Sequence, residues 1–233
     1  MPRDPNEKIG PDGWGVRHVI ESDERLVYTV LFENKPDAAA PAQDVFITDD
    51  LHDTLDWSTF RVHEIGWGET SVPIAEHARA IDQRVIIGDY RPDVATQYWV
   101  DVSASIDRAN GRVQLIFHTV DPATGEWPED AFAGFLPPND STGRGEGRVV
   151  FSVEAKPGQP LDLTTDIPNT ASIVFDTEEV IVTNEVVNTL GDVPQIQADL
   201  ISTLLGLGGS TVIPIENLDL NRDGLRDVSD LTP

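Results

Sequence analysis

Hydrophobic residues along this chain gather into short runs rich in Val, Ile, Phe, Tyr and Trp, separated by polar clusters of Gly, Pro, Asn and Asp. Runs of this kind suit strands rather than helices, because branched and aromatic side chains pack well on a pleated surface. The runs fall at residues 25–32, 44–49, 57–65, 84–87, 98–105, 112–119, 148–154, 169–175 and 180–183. The segment Asp107-Arg-Ala-Asn-Gly111 between two of them supplies residues that tolerate positive φ, and predicts a hairpin. No amphipathic helical period interrupts the series. The pattern predicts an all-β protein, an immunoglobulin-like antiparallel β-sandwich. Residues 1–15, rich in Pro, Gly and Asp, read as a surface segment.

The texture changes after Asn188. Leu190-Gly-Asp-Val-Pro194 reads as a linker. Residues 195–205 allow about three helical turns closed by Gly206, Gly208 and Gly209, or else an extended tether. A last segment, Thr211-Val-Ile-Pro-Ile215, leads into an aspartate-rich tail. The expected division is a sandwich over 1–189, a linker or short helix over 190–210, and a partial calcium-binding repeat over 211–233.

The tail carries the most specific pattern. Asp219, Asn221, Asp223, Asp227 and Asp230 occupy positions 1, 3, 5, 9 and 12 of a loop, and Gly224 stands at position 6. Calcium is a hard cation that gathers six to eight oxygens. Oxygens on alternate residues of a tight loop converge on one centre, glycine permits the reversal, and Leu225 contributes its backbone carbonyl. The spacing resembles dockerin loops, thrombospondin type 3 repeats and the calcium loops of FG-GAP/VCBS propeller blades. Arg226 departs from the apolar residue frequent in dockerins, and one loop is not a complete dockerin.

Composition narrows the partners. Forty-one acidic residues against 16 basic ones give a net charge of −25. Nucleic acid and anionic membrane surfaces are therefore not expected as partners, since both need clustered Lys and Arg. Acidic surfaces of this kind keep a protein soluble in high salt, or in part hold divalent cations. No cysteine is present, which excludes disulfides and thiol chemistry. No apolar run is long enough for a transmembrane helix, so membrane insertion is not expected. The opening Met1-Pro-Arg-Asp-Pro5 is not a signal peptide.

Four pieces in order resemble the DUF11-like and DUF7619-like repeat domains of bacterial surface proteins. They are Asp4-Pro-Asn-Glu-Lys8; Tyr28–Asn34 with Val45–Asp49; Leu55–Phe60; and Asn169–Asp176 with Thr183-Asn184. The resemblance implies an Ig-like module, without enzymatic activity, used as a spacer or in adhesion in an exported multidomain protein. Its expected location is extracellular or at the cell surface. Neighbouring domains, calcium, and a glycan or another surface protein are the expected partners. Asn34, Asp49 and Asn184 fall at strand ends, where they would cap loose backbone groups. Trp57, Phe60 and Phe175 read as core.

No constellation points to an enzyme. His18, His52, His63, His77 and His118 form no His-x-x-x-His pair, and His63 and His118 read as strand residues facing solvent. Trp14 and Trp67 lie in aromatic-glycine turns. They either cover the ends of the sandwich or stack on sugar rings; the second alternative describes an ancillary carbohydrate-binding module of a secreted polysaccharide-degrading enzyme. Lys8 near the first strand, with Asn169 or Asn184 near the last, stands where a Lys–Asn isopeptide crosslink assisted by a buried carboxylate would resist pulling.

Overall fold

The computed structural model describes residues 5–204, with side chains through Ala198. The strands in chain order are β1 (Lys8–Ile9), β2 (Val19–Ile20), β3 (Arg25–Glu33), β4 (Asp44–Asp50), β5 (Leu55–Trp67), β6 (Thr70–Ser71) and β7 (Ile81–Gly88). They continue with β8 (Gln97–Asp107), β9 (Arg112–Val120), β10 (Glu146–Ala155), β11 (Asp162–Asn169), β12 (Ala171–Phe175), β13 (Ile181–Val182) and β14 (Val186–Gly191), followed by one helix, α1 (Val193–Leu204).

Two sheets enclose the core. One has the order β1-β3-β10-β5-β6 and the other β13-β12-β4-β9-β8-β7, with every pairing in both antiparallel. The two-residue period of the strands decides what faces inward. In β3, Leu26, Tyr28, Val30 and Phe32 are buried, and their intervening neighbours are not. In β9, Val113, Leu115 and Phe117 play the same part from the opposite sheet. An aromatic plug fills one end: Trp67 meets Phe117 and Phe135 edge-on, and those two rings stack at 5.4 Å. At the other end Tyr28, Phe151 and Phe60 form a row, each neighbouring pair 5.7 Å apart.

The hairpin at 107–111 is present, joining β8 to β9. Gly111 has φ +72°, and a Cβ there would lie 2.4 Å from Cε2 of Trp57, which covers the turn. Glycine is thus required twice at this position, for conformation and for space.

Three segments depart from the expectations. Residues 1–15 do not simply run over the surface: Asn6 and Lys8 are buried, and Lys8–Ile9 pairs with β3. A third sheet, β11-β14-β2, contains strands that no apolar run announced, and β14 pairs with β2 in parallel. Its β14 continues through fully buried Leu190 to Gly191, past the expected boundary at 189. Beyond it, Ile196 of α1 packs on Val19 and Leu163 in a small second cluster. No helix among the described residues is long and apolar enough to cross a membrane.

Candidate functional site at the seam of the two sheets

The inner face of a strand admits a charge only at a cost, and two charges meet here. On β4 the inward positions are Val45, Ile47 and then Asp49. On β1 the inward residue is Lys8. Neither side chain has any exposed surface, and the Lys8 ammonium contacts Asp49 Oδ2 directly. Because β1 and β4 belong to opposite sheets, the contact crosses the core. Lys8 Nζ also sits 4.8 Å from the centre of the Tyr28 ring and 5.6 Å from that of Phe151.

A third group closes the cluster. Asn169 ends β11, two residues before Ala171, which pairs with Asp49 across β12 and β4. Its carboxamide is buried against the Asp49 carboxyl and the Tyr28 hydroxyl and acts electrostatically on both. It makes no well-formed hydrogen bond to either: Asn169 Oδ1 and Nδ2, Asp49 Oδ1 and Tyr28 Oη are all buried without a partner. Among the described residues the only other such atom is Arg17 Nε. Buried polar atoms are nearly always paired, so four orphans in one place need an explanation.

Electrostatics favour neutral forms. Burial pulls the Lys8 amine below its ordinary value, against the pull of Asp49, and pushes the Asp49 carboxyl up, against that of Lys8. The Tyr28 hydroxyl is likewise driven up by burial and stays protonated. Moving the proton from Lys8 to Asp49 leaves a free amine, a carboxylic acid and a carboxamide in one dry site, because desolvation penalises the separated charges.

The two candidate asparagines separate clearly. Asn184 accepts from the Lys8 backbone N–H at 2.9 Å and donates to the Lys8 carbonyl at 2.9 Å, so its side chain is fully committed to holding β1 in place. Neither polar atom of the Asn169 side chain makes a well-formed hydrogen bond. Asn34 does cap backbone groups, donating to the carbonyls of Ala40 and Leu136. Asp49 does not: it is a buried partner of Lys8 and not a strand-end cap. Its place in the alternation Val45, Ile47, Asp49 is the signal that could have revealed it.

The other singled-out residues have structural roles. Phe60 is in the core, and Trp57 and Phe175 pack against it half-buried. Trp67 is 3% exposed, inside the aromatic plug, and offers no free face to a sugar, while Trp14 is half-buried against the second cluster. His63 is exposed and hydrogen-bonds Ser152 at 2.7 Å. His118 is half-buried: its Nδ1 meets Asp44 Oδ1 at 2.6 Å, and the Trp127 indole donates to Asp44 Oδ2 at 2.9 Å. The tail residues Asp219, Asn221, Asp223, Leu225, Asp227 and Asp230 lie outside the described residues. Within the described ones, no group of three His, Asp or Glu side chains could hold a metal ion.

Among solved structures, the chain is similar to the full-length major pilin SpaD from Corynebacterium diphtheriae (16% identity, TM-score 0.42, covering 78% of this chain and 34% of the pilin). It is also similar to the N-terminal domain of the Streptococcus gordonii adhesin Sgo0707 (10% identity, TM-score 0.43, 80% and 33%). A third is the collagen-binding domain from a Staphylococcus aureus adhesin (9% identity, TM-score 0.35, 82% and 100%). The chain thus spans about a third of the first two, 34% and 33% of their lengths. No curated protein sequence matches it. The model of a domain of unknown function, DUF7619, matches residues 4–72 and 132–189. That match takes in more than half of the sequence, β1 and Lys8, Asp49 and Asn169 included, and the chain belongs to the DUF7619 family.

Proposed function

We propose that this chain is a non-catalytic structural or adhesion module of an exported, multidomain surface protein. The observation that carries the reading is the way the first and last strands of the sandwich are tied together. Asn184 brackets the Lys8 backbone from both sides, and Asn188 donates to the carbonyls of Pro11 and His18 at 3.0 Å each. β14 then runs parallel to β2. A domain held in series between neighbours receives tension at its terminal strands, and ties between those strands keep the load off the rest of the core. The test is location. In the native host, protease added to intact cells should remove the protein or degrade it in the medium. Protection until lysis overturns the reading.

The tail loop is proposed as a calcium site on its spacing alone, with Asp219, Asn221, Asp223, Asp227, Asp230 and the Leu225 carbonyl as ligands. An isolated extracellular loop of this type binds with Kd of roughly 10⁻⁴–10⁻³ M. Titration calorimetry of the full chain with calcium should show heat that Asp223→Ala abolishes. No heat in the unsubstituted chain sinks the calcium site and leaves the module reading untouched.

A further inference from the structure

We infer that Lys8 Nζ and Asn169 Cγ become joined by an intramolecular isopeptide bond, with Asp49 as the proton carrier. The inference deepens the structural reading above, and the geometry narrows it to these three residues. The nucleophile is a buried amine in direct contact with a carboxyl. The acceptor is the one carboxamide beside them whose two polar atoms are both unpartnered. The other asparagine within reach of Lys8 is consumed by its backbone. Buried surroundings exclude the water that would otherwise keep the amine protonated and compete for the carbonyl.

The chemistry balances without any co-reactant. Lys8 passes a proton to Asp49, giving a neutral amine and a carboxylic acid. The acid hydrogen-bonds the Asn169 carbonyl oxygen and polarises it, as a general acid does. The amine lone pair attacks Asn169 Cγ, and the Nζ–Cγ bond forms. Asp49 then returns a proton to the original amide nitrogen while taking one from Nζ. The Cγ–Nδ2 bond breaks, ammonia departs, and Asp49 ends in the protonation state in which it began the attack. The product has a secondary amide in place of an amine and a primary amide. Its N–H is a donor for the orphaned Asp49 Oδ1, and its C=O is an acceptor for the Tyr28 hydroxyl. The four unpartnered atoms are thereby accounted for: they surround a bond rather than a set of hydrogen bonds.

The bond would join the first sheet, through β1, to the C-terminal end of β11 where it turns into the second sheet. That is a covalent tie across the core between the beginning and the end of the sandwich.

Mass spectrometry of the full, unsubstituted chain under denaturing conditions tests it. The expected mass is lower than the sequence mass by about 17 Da, the mass of ammonia. Fragmentation should yield a branched peptide linking Lys8 to Asn169. Asp49→Asn and Asn169→Ala should each restore the full mass. The unsubstituted chain needs no variant to fold, so its mass alone can overturn the inference: a full sequence mass does so. A loss that maps to Asn110-Gly111, where a succinimide also releases ammonia, overturns it too. So does a loss of about 18 Da with Lys8 linked to Asp49, which marks water as the leaving group and the wrong acceptor. None of these results bears on whether the protein is exported.

Discussion

Asp44 and Asp49 stand on the same strand, β4, yet have opposite chemistry. Asp44 lies on the outer face with Phe46 and Thr48, where the Trp127 indole donates to it. Each of its oxygens has a partner, His118 on one and Trp127 on the other. It belongs to a cross-strand row in which Asp44 pairs with His118, His118 with Asp101 and Asp101 with Arg84. Asp49 is on the inner face, with one oxygen against Lys8 and the other unpartnered. A carboxylate with a complete shell of donors is a clasp. A carboxyl with an incomplete shell, beside an amine of lowered basicity and an idle carboxamide, is a reagent. The strand supplies both by its two-residue alternation, and five positions of travel change the face.

The largest effect is expected from Asn169→Ala, which leaves Lys8 and Asp49 in place and removes only the acceptor. A crosslink that closes a loop of more than a hundred residues stabilises by about 5 kcal/mol in the chain-entropy account. For a domain of this size each kcal/mol is worth roughly 2–4 °C in Tm. Differential scanning calorimetry should therefore show Tm lowered by roughly 10–20 °C. A drop no larger than that of an ordinary buried polar substitution, about 1–3 kcal/mol, would mean that Asn169 is only a neighbour of the pair.

Much of the architecture was legible in the chain, because nine runs of branched and aromatic residues mark strands wherever one face is buried. The hairpin at Asn110-Gly111 was legible for a local reason, positive φ. What was not legible depends on partners distant in sequence. β1 is two residues long and its inward residue is a lysine, so hydrophobicity could not announce it. β11 carries Pro168 and alternates weakly, and β14 acquires its meaning only beside β2. Asp49 was open to a better reading: a carboxylate in register with Val45 and Ile47 cannot face water on a strand whose inner face is core. The sequence offers Lys8 with either Asn169 or Asn184 as crosslink positions, and only the folded chain separates the two asparagines, through the two hydrogen bonds that occupy Asn184.

Asp44→Ala removes the carboxylate of the outer face. It leaves the half-buried His118 imidazole and the indole N–H of exposed Trp127 without their shared acceptor. The expected loss is about 1 kcal/mol, since water can replace the acceptor at exposed Trp127 and in part at His118. Thermal melts should show a Tm lower by a few degrees, at roughly 2–4 °C per kcal/mol. The mass deficit should be unchanged, since the Lys8 site is on the other face. If Asp44→Ala restores the full sequence mass, the two sites are coupled through β4 and the contrast between clasp and reagent fails.

The smallest effect is expected at the far end of the same row, where Arg84 holds both oxygens of Asp101 at 2.6 Å each and stacks 4.1 Å over the Trp99 ring. The hydrogen bonds from Arg84 hold the Asp101 carboxyl below its ordinary value, although burial opposes them. A carboxyl whose value is lower folded than unfolded stabilises the fold above its unfolded value, about 3.9, where it is ionised in both states. That contribution fades as pH falls through the folded value, because the folded chain then takes up the proton it had resisted. Arg112 lowers Asp50 in the same sense. Melting curves taken from pH 6 down to pH 3 should therefore slope downward on the acid side, and Arg84→Gln should flatten that slope while changing the melt near neutrality only slightly. Both groups are more than a third exposed, so salt should weaken the effect. An acid slope identical in Arg84→Gln and the unsubstituted protein would show that the Arg84–Asp101 pair contributes nothing to stability and that the outer row is held by Asp44 alone.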